Sequence, residues 1–172
     1  MESKHLFPGK YLPCEHDGCC PCASIHSYKD HYRKIFSTLN ISSVFEWGPG
    51  LNTEIAIENG SRVFSKEHDG KWIPKNISSN LWSYGLYDVR TPDYIEVVGD
   101  EWDLYFVDGR RRSECLESVF KSCKDSALVC LHDAQRPRYH DALSLFKKVF
   151  FVDPGFAIAT NSEELGPLIE AF

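Results

Sequence analysis

The chain has 172 residues, a net charge of −6 and 42% hydrophobic residues. That is one domain's length with enough apolar content for a sizeable core, and it excludes a disordered segment. The acidic balance argues against a nucleic-acid partner, since such binders carry a basic footprint. No apolar run reaches the ~20 residues of a membrane span.

Residues 1–14 are polar and lack the apolar stretch of a signal peptide, so an intracellular, cytoplasmic protein is expected. Pro8, Gly9, Pro13, Gly18 and Pro21 interrupt any regular element, which makes residues 1–23 an irregular Cys-rich extension and 24–172 one domain. From Ser24, a helix is predicted by Ile25, Tyr28, Tyr32, Ile35, Phe36 and Leu39, which recur at three- and four-residue spacing. Ser43-Val44-Phe45-Glu46-Trp47 is a short apolar strand running into Gly48-Pro49-Gly50. Asn52 or Thr53 can cap a helix that Gly60 ends, and residues 62–67 form a second strand, which completes a βαβ unit.

Residues 81–87 predict a third strand and 92–98 a short helix. A buried strand over 103–109 ends in Asp108 and Gly109, a helix follows over 113–121, and a further buried strand runs over 127–133. Pro137 opens a helix expected to reach residue 147. Residues 149–152 and 156–160, joined by Asp153-Pro154-Gly155, predict a closing hairpin, and the acidic tail from Asn161 is expected to be loose. The fold class is therefore α/β. A doubly wound, mostly parallel Rossmann-like sheet of about seven strands carries helices on both faces and a C-terminal antiparallel hairpin.

Ligands of such sheets bind at the carboxyl ends of the strands. A dinucleotide fingerprint needs a third glycine where Thr53 stands. Here an acid precedes the first glycine instead, giving Glu46-x-Gly48-x-Gly50, and an acid has an electrostatic reason to sit near a cationic cofactor. Glu67 ends the second strand and can accept hydrogen bonds from both ribose hydroxyls. The pattern favours S-adenosylmethionine over a nicotinamide dinucleotide.

Over residues 43–160 the chain resembles the class I S-adenosylmethionine-dependent methyltransferases. Glu46-Trp47-Gly48-Pro49-Gly50 looks like their first motif, which implies cofactor contacts from those five residues and Thr53. Lys66-Glu67-His68-Asp69 looks like their acidic ribose-binding strand end, which implies Glu67 and His68 as contacts. Val107-Asp108-Gly109-Arg110-Arg111-Arg112 and Leu131-His132-Asp133, followed by Arg136 and Tyr139, resemble one branch of the superfamily and imply a seven-stranded sheet. Compared with many members the chain is short and lacks an inserted substrate cap.

Methyl transfer from a sulfonium needs alignment and exclusion of water, with a base only where the acceptor has a proton to lose. Asp108, His132 and Asp133 are the candidate catalytic groups, and Asp108 is also expected to meet the cofactor. Asp108 and Asp133 can alternatively share a divalent metal. Metal-dependent O-methyltransferases use carboxylates from the same two strand ends, although here His132 replaces a second carboxylate beside Asp133. Arg110, Arg112, Arg136 and Tyr139 are candidate contacts to an anionic acceptor. The competing expectation is an Asp108–Arg136 or Asp133–Arg112 ion pair. Cys14, His16, Cys19, Cys20 and Cys22, with His26 nearby, supply enough ligands for a structural zinc, and packed thiols or a disulfide are the alternatives.

The expected function is methyl transfer to a small-molecule O- or N-acceptor. The alternatives are a non-catalytic S-adenosylmethionine-binding domain and a lyase or hydrolase acting on the cofactor. Gly48→Arg is expected to abolish cofactor binding while leaving the fold.

Overall fold

The computed structural model describes residues 5–6, 27–99, 101–163 and 166–172. In chain order these are β1 (His5–Leu6), α1 (Ser27–Thr38), β2 (Ser43–Trp47), α2 (Leu51–Glu58), β3 (Arg62–Glu67), β4 (Trp82–Leu86) and α3 (Pro92–Ile95). Then come β5 (Leu104–Val107), α4 (Arg112–Ser122), β6 (Leu128–His132), α5 (His140–Leu143), β7 (Lys148–Asp153), β8 (Phe156–Thr160) and α6 (Gly166–Ala171). The strands form one eight-stranded sheet in the order β1-β7-β8-β6-β5-β2-β3-β4. All neighbours are parallel except β8, which runs antiparallel to both β6 and β7.

The doubly wound sheet with its closing hairpin is the expected architecture, and the two-residue strand β1 extends it beside β7. The predicted third strand is β4, paired along β3. The cysteine cluster at Cys14–Cys22 and His26 lies outside the described residues.

Side-chain alternation along the strands sorts the apolar residues into two cores, one on each face. Phe45, Trp47, Tyr105, Val107, Val129 and Leu131 pack with Cys115, Leu116 and Val119 of α4. Val44, Val63, Leu104, Phe106 and Cys130 pack on the other face with Tyr32 and Ile35 of α1 and Ile55 and Ala56 of α2. Cys115 and Cys130 are fully buried free thiols.

Three elements differ from expectation. The helix over 137–147 is only a 3-10 turn, Pro137–Tyr139, followed by α5. Leu145 and Phe146 bond back to Ala142 and Leu143, and these tighter three-residue bonds end the helix and turn the chain into β7. The helix over 92–98 stops at Ile95, where Glu96 turns extended and the Lys66 ammonium binds the carbonyls of Asp93 and Glu96. The tail is not loose: α6 buries Leu168, and Phe172 packs its ring against His31 of α1.

Candidate functional site

β2 has β3 on one side and β5 on the other, so the chain leaves β2 in two directions across the sheet. The crevice at such a reversal is where open α/β sheets bind ligands. The Gly48 turn stands at this point. Gly48 has φ +88, and a Cβ on it would lie 3.1 Å from the carbonyl carbon of Asp108 and from Gly109 N. The turn therefore needs glycine for its left-handed backbone and for close approach to the end of β5.

Glu46 shapes this turn from beneath. The pairing of β2 with β3 sets Ser65 directly opposite Glu46. Ser65 Oγ and Thr53 Oγ1 donate to Glu46 Oε1 at 2.5 and 2.6 Å, and Asn52 Nδ2 donates to Oε2 at 2.5 Å. Trp82 Nε1 donates to Ser65 Oγ, and the Gly50 N–H donates to Thr53 Oγ1, so both hydroxyls keep their protons for the carboxylate. Burial pushes the Glu46 carboxyl up to about 7, against the pull of the three donors. The side chains of Glu46, Trp47 and Thr53 are fully enclosed, and Pro49 is buried. Trp47 is a core residue whose Nε1 donates to the Tyr94 carbonyl at 2.6 Å. Glu46, Trp47, Pro49 and Thr53 thus face inward, and of these six residues only the glycines stay half-exposed.

Glu67 ends β3 one strand away. Its Oε1 accepts the N–H groups of His68 and Asp69 at 2.6 and 3.0 Å. Among the described residues its Oε2 accepts no hydrogen bond. His68 Nδ1 lies in close contact with the same Oε1.

On the other side of the crevice, Asp108 and His132 follow the alternation of Phe106 and Cys130 and so emerge on the α1 face. His132 Nδ1 lies 2.9 Å from Asp108 Oδ1. A carboxylate only accepts, so this contact assigns the ring proton to Nδ1. Burial works against the imidazolium, but the bonded Asp108 carboxylate and the charge of Asp133 outweigh it. His132 therefore titrates above the ordinary histidine value, with Arg112 offsetting part of the rise.

Arg112, at the start of α4, joins the two acids. Its Nη2 meets Asp108 Oδ1 at 2.9 Å and its Nη1 meets Asp133 Oδ2 at 3.0 Å. It also donates to the carbonyls of Asp108, Gly109 and His132. Asp133 sits in the left-handed region at φ 57, and its carboxylate also holds Arg136 Nη2 at 3.0 Å. The Asp133–Arg112 pair is thus present, while Asp108 pairs with Arg112 in place of Arg136. Tyr139 is buried, with Arg138 Nη2 donating to its hydroxyl at 3.0 Å and the Arg112 guanidinium 5.8 Å from its ring. Of the four expected acceptor contacts, only Arg110 is an exposed side chain.

The sequence reading missed Tyr28. It sits in the first turn of α1 with its ring centroid 4.6 Å from that of His132. Burial, with the Asp108 and Glu46 charges nearby, pushes its phenol up to about 12, so it stays a neutral donor. Its place in the apolar stripe of α1 read only as core, and no local signal tied it to a strand end 104 positions on.

Known structures share this fold. The chain superposes on a methyltransferase-like protein of Silicibacter pomeroyi with TM-score 0.62 at 17% identity, covering 87% of this chain and 93% of that one. This is the fold of the class I S-adenosylmethionine-dependent methyltransferases. A spermidine synthase of Thermotoga maritima matches with TM-score 0.61 at 13% identity, over 85% of this chain and 62% of that one. A 16S rRNA methyltransferase of T. thermophilus, solved with S-adenosylmethionine and guanosine, matches with TM-score 0.59 at 11% identity, over 83% and 45%. No protein-family model and no curated protein matches the sequence. The names of these neighbours cover different acceptors, so the methyltransferase fold does not select one. No helix among the described residues is long and apolar enough to cross a membrane.

The cofactor of the methyltransferase fold suits what this chain offers. Glu67 Oε2, at the end of β3, accepts no hydrogen bond among the described residues, which leaves it open to a ligand's hydroxyls. A divalent metal suits the site poorly. Ligand atoms of Asp108, His132 and Asp133 lie within 4.8 Å of one another, but the Arg112 guanidinium already occupies the cation position between the two carboxylates.

Proposed function

We propose that the chain is an S-adenosylmethionine-dependent methyltransferase acting on a small molecule through a hydroxyl or amino group. In this reading residues 24–172 act as one domain, with 1–23 as its extension. One observation carries the reading. Glu67, the Gly48 turn, Asp108 and His132 stand in that order at the carboxyl ends of four adjacent parallel strands, β3, β2, β5 and β6. Two strand spacings, about 10 Å, separate Glu67 from Asp108. Glu67 would hold the cofactor's ribose and the glycine turn would lie against its backbone-facing side, with Asp108 on the side of the acceptor.

When bound, S-adenosylmethionine supplies an electrophilic methyl group. The protein's own residues then have three tasks. Glu67 accepts from the ribose hydroxyls through Oε2, and His68 lies beside it. The Gly48–Gly50 turn, braced by Glu46, lets the ligand approach the backbone closely. Asp108 and His132 face the side from which an acceptor arrives, beneath the Tyr28 ring. Arg110 remains the candidate contact for an anionic acceptor, while Arg112 and Arg136 act on Asp108 and Asp133.

A second reading is a domain that binds the cofactor without turnover. It is favoured by the engagement of both candidate acids, Asp108 and Asp133, with Arg112. Calorimetric titration with S-adenosylmethionine tests the shared step, and absence of binding rejects both readings. Product analysis then distinguishes the fates of the bound cofactor. S-adenosylhomocysteine marks methyl transfer, methylthioadenosine marks a lyase or hydrolase, and binding without turnover marks a binding domain.

A further inference from the structure

We propose that His132 Nε2 takes a proton from the hydroxyl group of an alcohol or phenol acceptor, with Asp108 and Arg112 as positioning residues. This rests on the methyltransferase reading and narrows its substrate class.

The proton position carries the argument. Asp108 Oδ1 accepts from His132 Nδ1 at 2.9 Å, so the neutral ring presents a bare lone pair at Nε2. Among the described residues no hydrogen bond uses that nitrogen. Arg112 locks the carboxylate through the same Oδ1 and also donates to the His132 carbonyl at 2.6 Å. The Tyr28 ring covers the imidazole from α1. A nitrogen base oriented by an acid that is itself held in place is the arrangement of general-base catalysis.

Charge then narrows the acceptor. Asp108 from the end of β5 and Asp133 from the turn after β6 are bridged by Arg112 from α4, and Arg136 pairs with Asp133, so two guanidinium groups match these two acids. The Glu46 carboxyl lies enclosed under the glycine turn, close enough to act on Asp108 and Tyr28. With neutral His132 these paired charges offer no unpaired ion beside Nε2 to hold a carboxylate or an ammonium as the reacting group, and Arg110 stays open to an anionic group elsewhere on the acceptor. A carboxylate has no proton to give, and a neutral amine sheds its proton only after transfer. A hydroxyl oxygen becomes a good nucleophile only as its proton leaves, which makes the base useful. In the step, the acceptor oxygen bonds to the methyl carbon and the C–S electron pair stays on sulfur. The hydroxyl proton passes to Nε2, and the imidazolium later releases it to water.

The first test is NMR of the full chain with nitrogen-labelled histidine. We expect neutral His132 protonated at Nδ1 and titrating above ~6.5, and Asp108→Asn should lower that midpoint. An Nε2–H tautomer, or a midpoint at or below the ordinary histidine value, overturns the inference without any assay of turnover. The second test incubates the protein with methyl-deuterated S-adenosylmethionine and a small-molecule extract. A labelled methyl ether is expected, with kcat/KM rising with pH through the His132 midpoint. His132→Gln should lower the rate by about 10²–10⁴-fold and remove that pH limb while calorimetry still detects the cofactor. A labelled methyl ester or N-methyl product overturns the hydroxyl inference and leaves the methyltransferase reading standing. Failure to bind S-adenosylmethionine overturns both.

Discussion

Gly48 and Asp108 meet backbone to backbone: a Cβ on Gly48 would stand 3.1 Å from the Asp108 carbonyl carbon and 3.2 Å from its oxygen. The glycine turn of β2 and the acid at the end of β5 are therefore one packed unit. Gly48→Ala combines this contact with the left-handed φ of +88 and should destabilise the fold by about 1–3 kcal/mol. Denaturant unfolding measures it, and an unchanged midpoint contradicts the packing. The same contact corrects the expectation for Gly48→Arg, which should disrupt the fold together with any binding.

Glu67→Gln is the cleaner probe of the cofactor site. The amide can still place an oxygen toward the His68 and Asp69 N–H groups, but it loses the charge that would receive the ribose hydroxyls. Charge-assisted hydrogen bonds contribute about 1.5–3 kcal/mol, so S-adenosylmethionine affinity should fall roughly 10–100-fold with the thermal midpoint nearly unchanged. Equal affinity in calorimetry moves the ribose site elsewhere.

Arg112 holds two acids and three carbonyls at once. Arg112→Ala leaves Asp108 and Asp133 facing each other with only Arg136 to help, and should cost on the order of 3 kcal/mol. Arg112→Lys should rescue little, because an ammonium cannot span both carboxylates as the planar fork does. A lysine variant as stable as wild type in urea would show that the bridging geometry contributes little.

Glu46 predicts a pH-dependent penalty. Its carboxyl rises from 4.5 to about 7 on folding, so its contribution to stability is complete below about 4.5 and is lost as pH climbs through about 7. Ser65→Ala removes a donor to the ionised form as well as the acceptor of the Trp82 N–H. The variant should lose about 1–3 kcal/mol, with the larger loss at pH 8 and the smaller at pH 5. Equal losses at both pH values would mean that Ser65 supports Trp82 and not the carboxylate.

Much of the fold was legible because its signals are local. Alternating apolar strands, the glycine turn after Trp47, the acids ending the strands and the Asp153-Pro154-Gly155 turn each act over a few residues, and they imply the doubly wound sheet with its hairpin. The short elements were less legible. The helix over 92–98 ends early because Lys66, from another strand, takes its carbonyls. The tail became a helix because Leu168 found an apolar face to cover.

The candidate site divides in the same way. The sequence alone marks Gly48, Glu67, Asp108, His132 and Asp133, because strand ends and turns announce themselves by residue type. It cannot rank Arg110, Arg112, Arg136 and Arg138, which are the same residue type crowded near the same acids. Only the tertiary structure singles out Arg112, since the start of α4 brings one guanidinium within reach of both strand ends. Only the structure encloses Glu46 under the turn and lays Tyr28 over His132. Hydrogen-bond and ring contacts need atoms placed to within a fraction of an ångström, and residues far apart in the chain acquire that placement only when the sheet and its helices pack together.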